Sequence, residues 1–408
     1  MESSIGNNLP RVKVQNQFSI KEIVYKFGPI SRIEIADRLG LTLPTITTSV
    51  SSMIKNGLLK EVEQDHSVKS LGRRTMLVDI NEDSRRIMGI EIRGTVRNGV
   101  IVDARGNVIV SMRDDHPYSD YESSIKSAAS LSISLLESSG LTWDDIDGVG
   151  ITIPGIVDKD EGKLIIHPGY KWKDKSIKDD FVSLSGFKGM VSVENNTIAR
   201  AFALVMFDGK VLEDADSMAY MFVSAGIGCP LLNNVKAHFG HVTGDGEVGH
   251  MIMQIDGEPC SCGNRGCLEA YSSEKTILDK SLGAIEKGKA PYLASIYEKK
   301  KSLDIYDLIE AGEKGDEGIK EILFKATRYL GLAIANIENF VKPERMVIEG
   351  KIFDKEEYRN ILLDTVYSNL FRNTLQDLKV YFKKSDDFSG AIGASAIAIK
   401  RDLELFLE

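Results

Sequence analysis

Residues 247–270 read EVGHMIMQIDGEPCSCGNRGCLEA, and they bring His250, Cys260, Cys262 and Cys267 into one short segment. Three thiols and an imidazole are the donor set of a closed tetrahedral zinc site, and the short spacings let a single loop wrap the ion. No fifth donor is indicated, so the spacing predicts a structural rather than a catalytic zinc. Only one further cysteine occurs in the 408 residues, too few for a disulfide scaffold. Glu247 precedes the loop and Glu269 ends it, so an ion here would fix two carboxylates suited to accept hydrogen bonds from a polyhydroxylated ligand. A sugar pocket beside the metal is therefore expected. His238 and His241, upstream of a complete ligand set, read as ordinary loop histidines.

Outward from this loop the chain reads as α/β. In the segment GVGITIPGIVD, residues 148–158, an apolar strand runs into Pro154-Gly155, where a glycine lets the backbone approach a ligand. MAYMFVSA, residues 218–225, is followed by Gly226 and Gly228 and a second apolar segment, much as MGIEI at 88–92 precedes Arg93-Gly94-Thr95. Two such units predict two related lobes around a cleft. Ile87 to Val110 reads as a β-meander, with helices expected over about 121–138 and 320–340. The terminal GAIGASAIAI, residues 390–399, carries small residues that permit close helix packing.

The first 80 residues differ in character. They hold 11 Lys and Arg against 8 Asp and Glu, whereas the remainder holds 40 against 52, within a net charge of −9. An acidic body disfavours nonspecific adhesion to nucleic acid, so any DNA contact is expected in the head. Helices are predicted over about 16–27 and 32–39, with Gly28-Pro29 and Gly40 as stops. A third starts at the cap Thr42, tolerates Pro44 in its first turn, and runs to about Asn56, with Leu43, Ile46, Val50, Met53 and Ile54 on one face. Thr45, Thr48, Ser52 and Lys55 lie on the other and are candidates for groove contact. Two strands, 58–62 and 75–80, flank the polar loop QDHSVKSLGRR and complete a winged helix-turn-helix. Arg73 and Arg74 at the wing base could reach phosphates or a minor groove. A solvated hairpin and a purely structural helical cap are the alternatives.

With 42% apolar and 27% charged residues, the composition excludes disordered and collagenous chains. No apolar run is long enough to span a membrane and the N-terminus lacks a secretory signal, so the expected address is cytoplasmic.

The runs GEVGH and CSCGNRGCLEA, with GVGITIPGIVD and VENN at 193–196, resemble the ROK family of repressors, open reading frames and sugar kinases, over about residues 85–400. The head resembles the winged helix of the family's repressor branch. The resemblance implies a two-lobed, actin-like and ribonuclease-H-like body with sugar bound between lobes. Residues 1–80 would form the DNA-binding domain, 81–195 with about 388–408 the first lobe, and 196–387 the second. Sugar contacts would come from Asn195, Glu247, His250 and Glu269, with Gly155 lining the pocket and His250 also serving the zinc. In the family's kinases an aspartate follows the asparagine of VEN and takes a proton from the attacking hydroxyl. Here that position is Asn196, still facing the sugar, and an amide has no basic pKa to use. Arg93 stands where the kinases' phosphate-holding turn has glycine, Cys229-Pro230 follows the glycines of the second lobe, and Glu349-Gly350-Lys351 replaces a glycine pair. These departures favour a sugar-responsive repressor, a homodimer or homotetramer on operator DNA, over its rivals. Those rivals are an ATP-dependent sugar kinase with a regulatory head and an oligomerising scaffold without ligand.

Overall fold

The structure is a computed structural model, and it describes residues 9–63, 76–118, 120–208, 211, 215–233, 236–237, 242–371 and 378–403. Arg73, Arg74, His238 and His241 lie outside the described residues.

The head is a three-helix unit with a small sheet. Its first helix, Leu9–Phe27, starts earlier than the apolar spacing predicts, because its first turns carry exposed residues such as Val12 and Val14 and leave no periodic signal. The second, Arg32–Leu39, is capped by Ser31, whose Oγ accepts from the Glu34 amide at 3.1 Å, and it stops at left-handed Gly40. The third, Leu43–Lys55, is capped by Thr42 and carries its proline in the first turn. Ile46, Val50 and Met53 are buried as expected, whereas Leu43 is 45% exposed. As the first residue of the helix it precedes the turn that meets the core. Strands Ile30–Ser31, Met76–Ile80 and Leu59–Glu63 pair antiparallel in that order, the last two on either side of residues 64–75 in the chain.

Among the described residues the body contains a small antiparallel sheet, Trp172–Lys175, Lys163–His167, Ile156–Asp158 and Val242–Thr243 in that order, and two larger sheets of matching design. In the first, strands Arg86–Arg93, Val96–Asp103 and Val108–Asp114 form an antiparallel meander, and Gly148–Ile153 and Met190–Asn195 add in parallel on the other side. In the second, Ser217–Val223 pairs antiparallel with Leu231–Asn233, which pairs with Lys236–Ala237, while Arg345–Glu349 and Lys379–Lys383 add in parallel. Ile227–Gly228 also pairs with Ser217–Val223, and when it is counted with Leu231–Asn233 as one interrupted strand both sheets follow the order 3-2-1-4-5 in chain numbering. That repeated topology is the tertiary form of the strand–glycine-turn–strand repetition in the sequence, and it is the actin-like fold.

The small residues of the C-terminal helix, Ser389–Asp402, have a specific use. Gly89 and Gly150 are neighbours across the parallel pair, and a Cβ on either would fall about 2 Å from a carbonyl oxygen of that helix, Ala391 and Ala394 respectively. The helix therefore lies directly on the sheet backbone. On its other side it packs against Asn196–Phe207, where Gly393 touches the Ala199 backbone.

The apolar core does not stop at the head. One buried cluster runs from Ile20, Val24, Ile46 and Val78 through Ile87 and Val102 to Phe202, Met206, Tyr220 and Val347. Polar ties reinforce it: the Tyr25 hydroxyl donates to the Ala104 carbonyl at 2.9 Å, Arg105 donates to the Tyr25 carbonyl at 2.9 Å, and Arg105 also pairs with Asp79. The head is thus packed against the body and not hung from a linker.

Candidate functional site

A cavity of about 340 Å³ opens between the two sheets, within the ~300–1,000 Å³ typical of small-molecule sites. Gly155, Asn195, Asn196, Glu247, His250 and Glu269 all line it, although they come from four separate segments. Topology explains the convergence. Asn195 ends one parallel strand of the first sheet, Gly155 follows its neighbour, and crevices at the carboxyl ends of strands are where open α/β sheets receive ligands.

Asn195 has a local task besides. Its Nδ2 donates to the Gly155 carbonyl at 2.9 Å, and its Oδ1 accepts from the amides of Thr197 and Ile198 at 2.8 and 3.3 Å, capping the helix Asn196–Phe207. The side chain therefore fixes both the glycine turn and the helix start. Gly155 has φ +109°, a conformation that suits glycine, and a Cβ there would meet the Ile166 carbonyl at 2.5 Å.

Glu269 turns its carboxylate inward, where Oε1 accepts from the Ile227 amide at 2.9 Å. Burial pushes the Glu247 carboxyl above its ordinary value, opposed by His250 and assisted by Glu269. A paired donor from a ligand hydroxyl would relieve that cost.

His250, Cys260, Cys262 and Cys267 lie beside the cavity with their donor atoms all within 4.8 Å of one another. Cys262 Sγ and Cys267 Sγ are 3.8 Å apart and Cys260 Sγ is 3.7 Å from His250 Nδ1. A tetrahedron with metal–sulfur bonds of about 2.3 Å has edges near 3.8 Å, so the spacing and donor chemistry fit a metal ion. Burial pushes the Cys260 and Cys267 thiols up, a cost that a cation among them removes by holding thiolates. The loop is braced by Tyr271, whose hydroxyl accepts from the Glu258 amide at 2.9 Å and whose ring stacks on Tyr329 at 4.3 Å. Nδ1 faces the sulfurs, while the His250 ring also forms part of the cavity wall.

Sequence reasoning missed the aromatic wall. His167 and Tyr170 line the cavity and stack at 4.3 Å, and the Gly94 amide donates to the Tyr170 hydroxyl at 3.0 Å. His167 ends the strand Lys163–His167 and Tyr170 ends the single turn Pro168–Tyr170 that leads into Trp172–Lys175, elements too short for a periodic signal, so only the Pro-Gly step between them marks a turn. Tyr170 thereby occupies the amide of the turn Arg93-Gly94-Thr95, and Arg93 itself lines the cavity.

Burial lowers the His167 imidazole to about 4, so it is neutral at pH 7. A depressed folded pKa means that its contribution to stability is full above the unfolded value of about 6.5 and is lost as pH falls toward 4. His167→Phe is therefore expected to remove on the order of 2 kcal/mol of the stability lost between pH 6.5 and 4. Urea unfolding of both proteins across that range checks it, and parallel pH profiles would contradict it.

On the head, Thr42, Pro44 and Thr48 are exposed and Thr45 is half-buried. The Thr45 hydroxyl bonds that of Thr42 at 2.9 Å, and the Thr48 hydroxyl donates to the Pro44 carbonyl at 2.9 Å, so the threonines present pre-set oxygens at the start of this helix.

The ROK family model matches residues 87–401. The xylose repressor of Bacillus subtilis (strain 168) is 26% identical over 394 residues, 96% of this chain and 97% of that protein. The DNA-binding transcriptional dual regulator NagC of Escherichia coli (strain K12) is 25% identical over 406 residues, 98% of this chain and 95% of that protein. Among solved structures, a ROK family transcriptional regulator, a homolog of the E. coli MLC protein, superposes with TM-score 0.75 at 23% identity, covering 96% of each chain. A ROK family glucokinase from Streptomyces griseus, in complex with glucose and AMPPNP, superposes with TM-score 0.67 at 21% identity, covering 77% of this chain and 99% of its own. With the family model matched over most of its length, and with the repeated sheets and metal loop that its motifs announce, this chain belongs to the ROK family.

Proposed function

We propose that the protein is a sugar-responsive transcriptional repressor. It binds operator DNA through the head and a sugar or sugar derivative in the cavity between the lobes. The observation that carries this reading is coverage: the repressor relatives span the chain head included, whereas the glucokinase spans 77% of it. The metal is a structural zinc held by His250, Cys260, Cys262 and Cys267, with all four positions filled by protein. It would hold the loop rigid and so position Glu247, His250 and Glu269 on the sugar, with Gly155, Asn195 and Asn196 on the opposite wall. Thr42, Pro44, Thr45 and Thr48 enter the major groove, and Arg73 and Arg74 contact the backbone from the wing. A homodimer or homotetramer matches two-fold operators.

Phosphotransfer is disfavoured by three features. Asn196 supplies an amide where a general base is needed, a loss of about 10²–10⁴ in rate. The Gly94 amide is occupied by Tyr170, and the guanidinium of Arg93 replaces a glycine beside it.

D-xylose, D-glucose and N-acetyl-D-glucosamine form the first test panel. At 100 times its dissociation constant, a bound sugar raises stability by about 2.7 kcal/mol, read as a shift in melting temperature, and it should also weaken DNA binding. No shift with any sugar of a broader hexose and pentose panel, or rapid ATP-dependent phosphorylation, would defeat the proposal.

A further inference from the structure

The helix Asn196–Phe207 connects the cavity to the head. Asn196 and Thr197 line the cavity, while Phe207 at the other end packs against Gly106 and Phe202 and Met206 join the core containing Ile20 and Val24 of the first helix. Its 12 residues span about 18 Å at 1.5 Å per residue. Between these ends sits Arg200, 3% exposed, with Nη2 on Glu91 Oε1 at 2.9 Å and Nη1 on Glu349 Oε1 at 2.9 Å.

The two carboxylates belong to different lobes. Glu91 lies on Arg86–Arg93 of the first sheet, and Glu349 ends Arg345–Glu349 of the second. One guanidinium therefore ties both sheets. Glu349 Oε2 also accepts from Lys383 at 2.8 Å and from the Tyr220 hydroxyl, and Glu91 Oε2 from Asn98 at 3.3 Å. Burial opposes ionisation of Glu91, yet Arg200 and Arg93 hold its carboxyl below the usual range.

A second rod starts at the same cluster. Gly390, in the first turn of Ser389–Asp402, is so close to Glu91 that a Cβ would fall 2.1 Å from the carboxyl carbon. At the far end, Asp402 pairs with Arg85 at 2.6 Å and the Leu403 carbonyl accepts from Lys21 of the head's first helix. The Gly393–Ala199 contact locks the two rods side by side.

We propose that Arg200, Glu91 and Glu349 form an interlobe lock that transmits cavity occupancy to the head, with the two helices as its rods. A buried guanidinium between two carboxylates tolerates little sliding, because rotating one sheet away leaves an unpaired buried charge. Movement between lobes is therefore passed along the helices instead of being absorbed at the hinge, the behaviour of a bistable contact. Arg200 acts here as a positioning residue. The inference rests on the sugar-responsive repressor reading for what occupies the cavity.

Hydrogen exchange on the full chain tests it, with the sugar of the panel that most raises the melting temperature. In the wild type, the sugar is expected to change exchange of residues 18–27 at least threefold, besides protecting residues 247–269. The charge-neutral triple variant Glu91→Gln, Arg200→Met, Glu349→Gln should show the changed rate at 18–27 without sugar, should still bind the sugar, and should respond no further at 18–27. Arg200→Lys keeps a cation that reaches only one carboxylate, and the same loss of response is expected if the triple variant does not fold. A variant that binds sugar and still transmits the full change to 18–27 overturns the lock. If no sugar protects residues 247–269 of the wild type, the sugar reading fails. The lock is then judged on the ligand-free variants, where wild-type exchange at 18–27 would overturn it.

Discussion

Replacing Cys262 by Ser is expected to reduce bound zinc from one per chain to below one tenth and to abolish sugar-dependent stabilisation with it. Apparent binding energies of structural zinc are about 10–16 kcal/mol, far more than a loop of this size recovers from its own hydrogen bonds. The local structure indicates why the loss would spread. The loop between Met251 and Leu268 is closed by isolated bridges, Ile252 with Cys267 and Pro259 with Arg265, and by single hydrogen bonds such as Cys260 amide to Asn264 carbonyl at 2.8 Å. Glu247 and Glu269 flank that loop on the cavity side. Freed thiols would leave both carboxylates without a fixed frame. Cys229→Ala serves as the control for metal content, because Cys229 is buried in the second lobe's core and is not one of the four clustered donors. Metal content by atomic emission and sugar titration by calorimetry read the two effects separately. Full zinc in Cys262→Ser, or sugar affinity unchanged after metal loss, would break the proposed link between loop and pocket.

The second large effect concerns Arg200→Met. Removing one partner of a buried ion pair costs about 3–5 kcal/mol, because the charge left behind cannot regain water. Here two carboxylates are left, Glu91 and Glu349, both 1% exposed or less. The sign of the pH dependence distinguishes this cause from simple loss of packing. In the wild type Glu91 is held below its ordinary value, so its contribution to stability is present above about pH 4.3 and is lost below. Without Arg200 burial dominates and the carboxyl rises. The variant is then destabilised above about pH 4.3 and regains stability as protons bind, so the penalty should be smaller at pH 5.5 than at pH 7.5. Guanidinium unfolding at the two pH values checks this. An equal penalty at both would assign the loss to packing alone. The charge-neutral triple variant should recover part of the loss at pH 7.5, since no buried carboxylate is left unpaired, while the partly exposed Lys383 and Arg93 lose their partners.

The legible parts of this protein share one property: they are local. The capping residue Thr42, the stop at Gly40, and the dense donor set from His250 to Cys267 each act within one element or loop. The candidate contacts Gly155, Asn195, Glu247 and Glu269 were found through motifs, and motifs are also short-range. The boundary of the first helix was missed because its exposed first turns carry no apolar period. Leu43 was misread because periodicity assigns a face without regard to where packing begins.

The sequence by itself determined the opening meander of the first sheet, the repeated strand–glycine-turn–strand unit, the head's three helices and the donor set of the metal loop, since hydrophobic period, turn residues and ligand spacing are written into neighbouring positions. Only the tertiary structure decided that Arg200 bridges Glu91 and Glu349, that His167 and Tyr170 wall the cavity, and that the head shares a core with the body. The physical reason is distance along the chain. Arg200 lies 109 residues from one partner and 149 from the other, and complementary charges so far apart leave no pattern until two sheets and a helix bring them within hydrogen-bond reach.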